Sequence, residues 1–178
     1  MDWLDIKEFF KDTFKYIIFI VVILFIAIYV VGLQQVVGPS MSPTLENGDV
    51  LILDKANYRF FDVKKGDVIA LYSSKSKYLI KRGVGMPGEY VEFKNNQLYI
   101  NNIPLEEEYL GDSVITEDFS IRELGYETIP EDMYLVLGDN RGDSSDSRDP
   151  EIGLIKKSDI LGKVRFRIWP LNKIKIVK

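Results

Sequence analysis

A serine in the segment GPSMSPTL has surroundings that suit a nucleophile. Pro39 and Pro43 restrict the backbone on both sides of Ser40. A hydroxyl held in attack geometry avoids the entropic cost of finding that geometry during the reaction. Ser42 and Thr44 offer competing hydroxyls in the same loop, and an ordinary turn is the alternative interpretation of the whole segment. The pattern therefore indicates a candidate serine nucleophile, with Ser40 as the first choice.

A lysine in the segment YLIKRGVGMPG has surroundings that suit a general base. Lys81 follows Leu79 and Ile80 in a strand-like run. Burial beside apolar side chains lowers the pKa of a lysine from about 10.4, because the charged form is desolvated. A neutral amine can take the proton from a serine hydroxyl, as in the Ser-Lys variants of the catalytic triad. The alternative is a solvent-facing strand lysine beside Arg82.

The composition restricts the chemistry further. The chain has no His and no Cys, so a Ser-His-Asp triad is impossible. The usual zinc ligands are missing as well, and only carboxylates remain, which suit Mg²⁺ or Ca²⁺. The net charge is -4, and no basic patch with interleaved aromatic residues is present. We therefore predict no metal, no cofactor and no nucleic-acid partner.

Two glycine-containing segments match binding motifs only in part. The segment GVGMPG has the spacing of a dinucleotide-binding loop, but the strand-like EYVEFK follows it where that motif requires a helix. The segment GDNRGDSSDSRD resembles a calcium loop, yet Arg141 and Ser144 occupy positions where an acidic ligand and a glycine belong. Its Arg-Gly-Asp tripeptide is too short to indicate adhesion. Neither segment changes the expectation of no cofactor.

An apolar run near the N-terminus predicts one transmembrane helix over residues 16–33. Its eighteen residues reach nearly across a bilayer core of about 30 Å at about 1.5 Å per residue. A buried core helix and a cleavable secretory signal are the alternatives. Lys7, Lys11 and Lys15 precede the run, and the next basic residue is Lys55. The positive-inside rule then predicts a cytoplasmic segment over residues 1–15, which forms an interfacial helix or extends the membrane helix.

Residues 34–178 change to short alternating runs separated by Gly, Pro, Asn and Asp, a pattern typical of strands and turns. We predict a mostly β fold: a compact antiparallel sheet or barrel-like catalytic domain outside the membrane. Asn95-Asn96 suits a tight hairpin turn, and the acidic stretch from Leu105 to Pro130 suggests a surface excursion. The predicted strands are Asp49–Leu53, Asp67–Tyr72, Lys77–Gly83, Tyr90–Lys94, Gln97–Asn101, Met133–Leu137 and Ile160–Ile168.

Taken in order, these features resemble the type I signal peptidases, specifically their short, Gram-positive-like form. The resemblance includes the anchor and then GPSMSPTL, KKGDVIALY, YLIKRGVGMPG and LGDNRGDSSDSR. It implies that Ser40 is the nucleophile and Lys81 the general base of a serine endopeptidase. It further implies a β-fold catalytic domain on the outer face of the plasma membrane. Members of this family remove signal peptides from exported preproteins, usually after small residues at the first and third positions before the cut.

The resemblance also assigns the last motif. It implies that Ser144 orients the Lys81 amine, while Asp146 and Arg148 form a supporting ion pair. Asp139 and Asn140 would hold the loop. A fixed amine agrees with chemical need, because lysine carries four rotatable bonds.

One position departs from some members of the family. They place a serine two residues before the nucleophile to help bind the oxyanion, and this chain has Gly38 there. The backbone N–H of Ser40 is then the expected donor from this loop, and a second donor must come from elsewhere.

The expected substrate is an extended signal peptide that adds as a strand beside the nucleophile loop. Membrane lipid and the protein-export machinery are further expected partners. Two alternatives are a membrane-tethered domain that binds partners without catalysis and a self-cleaving Ser-Lys repressor-type protease, whose DNA-binding module is missing here. Shallow apolar pockets for small side chains are expected from Val36, Val37, Met41, Leu45, Leu79 and Ile80.

Overall fold

The computed structural model describes residues 3–73, 77–111 and 114–177 of the 178-residue chain. Helix α1 spans Trp3–Tyr29 and the short helix α2 spans Asn57–Phe60. Short 3-10 helices occupy Ile121–Leu124, Lys157–Asp159 and Leu171–Lys173. The strands are β1 Val31–Gln35, β2 Val50–Asp54, β3 Val68–Ser73, β4 Lys77–Gly85, β5 Val91–Lys94, β6 Gln97–Ile100, β7 Ile103–Leu105, β8 Phe119–Ser120, β9 Met133–Leu137, β10 Ile155–Lys156, β11 Ile160–Trp169 and β12 Lys175–Ile176.

Within the described ranges, the strands form two antiparallel sheets. The larger sheet has the order β1-β2-β11-β3-β4-β9-β10, with β12 paired to β11. The smaller sheet has the order β7-β6-β5-β8. The prediction of a mostly β, antiparallel domain after one N-terminal apolar helix is confirmed.

The central strands of the larger sheet are buried on both faces. In β3, Val68 and Ala70 pack into one apolar cluster, whereas Ile69 and Leu71 pack into another. This division follows from the pleat, which directs successive side chains to opposite faces. Strand β9 extends the arrangement, because Leu135 joins a third cluster shared with the smaller sheet. Strands β3, β4 and β9 thus form a rigid platform.

The N-terminal helix differs from the predicted span of 16–33 at both ends. It begins at Trp3 and ends at Tyr29, and the last apolar residues of the predicted span belong to β1, which pairs with β2. Hydropathy cannot distinguish these residues from the helix, since both are apolar; β1 forms because β2 supplies backbone partners. The stretch Phe10–Tyr29 is still long and apolar enough to cross a membrane, and none of it is buried within the protein.

All seven predicted strands are present; Met133–Leu137 has the predicted ends, and the other strands differ by no more than two residues at either end. The predicted hairpin turn is also confirmed, since Asn95 and Asn96 have φ angles of 49° and 63°. The stretch from Leu105 to Pro130, by contrast, is not a simple surface excursion. Its Phe119, Ile121 and Ile129 are buried in the cluster shared by the two sheets. The surrounding acidic residues conceal this pattern in the sequence.

Candidate active site

The loop that carries Ser40 connects β1 to β2. Backbone bonds close the loop at its base, where Val36 N donates to Asp49 O at 2.8 Å and Gly48 N donates to Val36 O at 2.9 Å. Met41 and Leu45 anchor the loop in the core, with exposed fractions of 1% and 0%. Ser40 itself is half-buried, and its hydroxyl makes no hydrogen bond to another side chain or backbone atom of the described residues. The loop therefore holds a hydroxyl that is free to react.

Lys81 lies in the middle of β4, where both faces of the strand are covered. Its exposed fraction is 2%, and that of the neighbouring Arg82 is 1%. The solvent-facing alternative for Lys81 does not hold. Burial lowers the pKa of Lys81 to about 8, with the nearby negative charge of Asp146 partly opposing that shift. At pH 7, about a tenth of such amines are neutral, against roughly one in three thousand at a pKa of 10.5.

One loop contacts both of these segments. Lys81 Nζ donates a hydrogen bond to Ser144 Oγ at 3.2 Å. From the same loop, Asn140 N donates to Ser40 O at 3.0 Å, and Asn140 Nδ2 donates to Pro39 O at 3.3 Å. The loop that follows β9 thus brings together Ser40 and Ser144, which are 104 positions apart in the chain.

Gly138 lies at the centre of this contact. A Cβ at that position would overlap both Ser144 Oγ and the Ser40 carbonyl oxygen. Only glycine therefore allows the Ser40 loop and the Ser144 loop to approach each other this closely.

Asp146 and Arg148 form the bidentate ion pair that the family resemblance implies, at 2.8 and 2.9 Å. Asp146 Oδ2 also accepts a hydrogen bond from Gly138 N at 3.0 Å. Although burial opposes it, the Arg148 guanidinium and the hydrogen bonds from Gly138 and Ser144 hold the pKa of Asp146 below its usual range. Asp146 thus supplies a fixed negative charge beside Ser144 and ties the two ends of the loop together.

Asp139 makes a second bidentate ion pair, and its partner is Arg82. The distances are 2.8 Å to Nε and 2.7 Å to Nη2, and both side chains are almost fully buried. Arg82 also donates to Gly66 O at 2.7 Å. From the sequence alone, Arg82 has no predicted role beyond its place beside Lys81. The sequence does contain one indication that Arg82 is buried: it lies in a predicted strand, and the residues that follow it are apolar or glycine.

The predicted pocket residues do not form one accessible wall. Four of them, Val36, Met41, Leu45 and Ile80, lie in a single core cluster. Val37 is 84% exposed, and Leu79 packs on a different cluster from Ile80 because the two side chains point to opposite faces of β4.

The structure has an open groove of about 1010 Å³ nearby. Its lining includes β1 at Gly32, Leu33 and Gln34, the start of β4 at Tyr78, and the segment Lys156–Ser158; residues of β2, α2, β9 and β11 also line it. Strand β1 stands at the end of the sheet order, and β4 pairs with β9 only from Arg82 onward. Residues of both strands therefore line the groove, and each of these two strand segments has one edge that pairs with no other strand in the described part of the chain. None of the predicted pocket residues lines it.

The backbone N–H of Gly38 is not available to an oxyanion. It donates to Asn47 Oδ1 at 2.9 Å. The Ser40 N–H makes no hydrogen bond within the described residues, so it remains the expected donor from this loop.

Residues 7–169 match the family model described as signal peptidase, peptidase S26. Signal peptidase IB of Staphylococcus aureus (strain COL) is 36% identical over 182 residues, which cover 93% of this chain and 94% of that protein. Signal peptidase I of Bacillus caldolyticus is 37% identical over 154 residues, covering 82% and 84%.

A solved structure shows the same similarity. The crystal structure of a signal peptidase I from Enterococcus faecalis V583 aligns with a TM-score of 0.52 at 36% identity. The alignment covers 58% of this chain and 97% of the Enterococcus faecalis chain. This chain therefore belongs to the type I signal peptidases of peptidase family S26, serine endopeptidases that remove signal peptides.

Proposed function

We propose that Ser40 is the nucleophile and Lys81 the general base of this signal peptidase. The observation that supports this most directly is the loop after β9, which binds the Lys81 amine through Ser144 and the Ser40 backbone through Asn140. Lys81 is also buried, with an exposed fraction of 2%, and burial lowers its pKa to about 8. A free hydroxyl and a partly neutral amine are the two requirements of a Ser-Lys mechanism.

The reaction follows from these roles. Ser40 Oγ attacks the carbonyl carbon of the last signal-peptide residue, and its proton passes to Lys81 Nζ. The tetrahedral oxyanion accepts a hydrogen bond from Ser40 N–H. Its collapse breaks the C–N bond, and the Lys81 ammonium returns the proton to the departing amine of the mature protein. Water activated by the neutral amine then hydrolyses the ester and frees Ser40.

The groove beside β1 is the proposed site for the extended signal peptide. Its bordering backbone edges offer hydrogen bonds to a peptide that enters as an added strand. Strand β1 ends five residues before Ser40, and β4 contains Lys81, so a peptide in this groove leads toward both. We expect cleavage after small residues at the first and third positions before the cut, as the resemblance to the family implies.

We infer that the chain is anchored in the plasma membrane with its catalytic domain outside. Helix α1 holds the membrane-length stretch Phe10–Tyr29, and only ten residues separate Tyr29 from Ser40. Lys55 fixes this junction, since Nζ donates to Ile28 O at 3.0 Å. Cleavage would then occur close to the bilayer surface, where membrane lipid and the protein-export machinery deliver the preprotein.

The test is cleavage of a preprotein by the purified full-length chain in detergent, with sequencing of the new N-terminus. Wild type should cut after a small-x-small site, and Ser40→Ala and Lys81→Ala should both be inactive. Activity in Ser40→Ala would assign the nucleophile to another residue, with Ser42 as the first to examine. No cleavage by folded wild type would favour a domain that only binds preproteins.

A further inference from the structure

The segment between β7 and β8 contacts the Ser144 loop through a buried ion pair. Glu107 accepts hydrogen bonds from both terminal nitrogens of Arg141, at 2.6 and 2.9 Å. The exposed fractions of the two side chains are 0% for Arg141 and 10% for Glu107. Thr116, from the same segment, accepts a further bond from Arg141 Nη1 at 3.0 Å. Bidentate pairs of this kind fix geometry as well as charge.

Arg141 in turn binds the backbone at Gly138, where the Ser40 loop and the Ser144 loop meet. Its Nε donates to Gly138 O at 3.0 Å, and its carbonyl accepts a bond from Arg148 Nη2 at 2.8 Å. Gly138 is the residue that packs between the Ser40 carbonyl and Ser144. The orientation of the Arg141 guanidinium therefore determines where Gly138 lies, and with it the Ser144 hydroxyl that binds Lys81.

A second connection runs through Tyr109. Its hydroxyl donates a short hydrogen bond to Glu107, and the Arg82 guanidinium stacks 3.9 Å from the centre of its ring. Arg82 binds Asp139, the residue after Gly138. Glu107 is thus linked to both ends of the Gly138 turn, through Arg141 on one side and through Tyr109 and Arg82 on the other.

We propose that Glu107 is a positioning residue for Ser40 and Lys81, a role that rests on the proposed function. Without Glu107, the buried guanidinium of Arg141 would lose its counter-charge and turn toward water. The Gly138 carbonyl would then lose its donor, and Ser144 would shift relative to the Lys81 amine. A displacement of about 1 Å at reacting groups costs on the order of 100-fold in rate.

The first experiment compares steady-state cleavage by full-length wild type, Glu107→Ala and Glu107→Gln in detergent. Glu106→Gln is the matched control, because Glu106 is the exposed neighbour in the same segment. We expect kcat of Glu107→Ala to fall by about tenfold to 100-fold with KM changed less than about twofold. Glu107→Gln should lose less, since an amide oxygen still accepts a hydrogen bond. Wild-type kcat in folded Glu107→Ala would overturn the proposal.

A double variant separates positioning from stability. Replacing both members of a buried ion pair by apolar residues of similar size is often neutral for stability. We therefore expect Glu107→Leu combined with Arg141→Met to recover the Tm that Glu107→Ala loses, while kcat stays low because Gly138 O still lacks a donor. Recovery of both Tm and kcat would show that the pair serves only to stabilise the fold.

A third measurement does not depend on cleavage. The pH profile of Lys81 acetylation by acetic anhydride, read by mass spectrometry, reports the environment of this amine alone. Opening of the Ser144 loop admits water, so the profile of Glu107→Ala should move toward higher pH than that of wild type. An unchanged profile would overturn the proposal even if wild type cleaved no preprotein, a result that by itself would contradict only the proposed function.

Discussion

At the scale of single residues, the pH dependence of cleavage follows from the buried Lys81. The amine acts as a base only when it is neutral, and burial lowers its pKa to about 8. Activity should therefore be low below pH 7, rise about tenfold per pH unit, and level off above pH 8. Initial rates of preprotein cleavage between pH 6 and pH 9.5 would show this. A rate that is flat over that range would mean that Lys81 is not the base.

Lys81→Arg is the matching substitution. A guanidinium stays protonated at every pH in this range, so the variant should be inactive throughout. Its charge and length are similar to those of lysine, and it therefore separates loss of the base from loss of a cation.

Gly138 offers a second prediction at this scale. A methyl group there would overlap Ser144 Oγ and the Ser40 carbonyl oxygen, neither of which is the end of a long flexible side chain. We expect Gly138→Ala to separate the two loops and to reduce kcat by about 100-fold or more. Gly111→Ala is the control, since a Cβ at Gly111 meets no atom within 4 Å. Substantial activity in Gly138→Ala would show that the close packing of these loops is dispensable.

At the scale of elements, the β5-β6 hairpin is connected to the Ser144 loop by side-chain hydrogen bonds. Asn96 at its turn binds the segment after β7, since Oδ1 accepts from Thr116 N at 2.6 Å and Nδ2 donates to Val114 O at 3.3 Å. Thr116 continues to Arg141. The turn residue therefore takes part in the same network as Glu107.

Asn96→Gly tests this connection without disturbing the turn. Glycine accepts the φ of 63° but cannot make either side-chain bond. We expect a loss of about 1–2 kcal/mol in the free energy of unfolding, measured by denaturation in detergent. Asn95→Gly is the control, because Asn95 bonds Asp118 through its backbone N–H, which glycine keeps. Equal stability of the two variants would contradict the connection.

Sequence patterns predict the elements whose position along the chain is specified by local residues, whichever strand they pair with in the fold. Strands such as Met133–Leu137 and the Asn95-Asn96 turn are specified by local apolar content and turn chemistry. The sequence pattern places most of β1 in the helix, because β1 forms by pairing with β2 and the local sequence does not reveal that pairing. The two-residue strands β8, β10 and β12 are too short to show a period.

The residues of the candidate site also fall into two groups, those that the local sequence predicts and those that only the fold brings together. The sequence predicts roles for Ser40, Lys81 and the Ser144 loop because each stands in a recognisable segment. It does not predict the pairing of Glu107 with Arg141, because each is charged and lies among other charged residues, so nothing local distinguishes a buried pair from a solvated one. Only the fold places them together, 34 positions apart in the chain.

At the scale of the whole molecule, the N-terminal helix continues directly into the β domain. Helix α1 leads into β1 after a single residue, and β1 is both an edge of the groove and the start of the nucleophile loop. A preprotein held in the same membrane would present its extended segment beside this edge. Tethering the two chains in one bilayer would raise their effective concentration at this groove.

The absence of cysteine makes the proposed orientation directly testable, because any introduced thiol is unique. Ile115 is 72% exposed in the catalytic domain, and Glu8 lies exposed before the membrane-length stretch. In intact cells, Ile115→Cys should react with a membrane-impermeant maleimide, whereas Glu8→Cys should react only after the membrane is permeabilised. The reason is the cluster of Lys7, Lys11 and Lys15, which the positive-inside rule retains in the cytoplasm. The reverse labelling pattern would place the catalytic domain inside the cell, where an exported preprotein could not reach Ser40 after crossing the membrane.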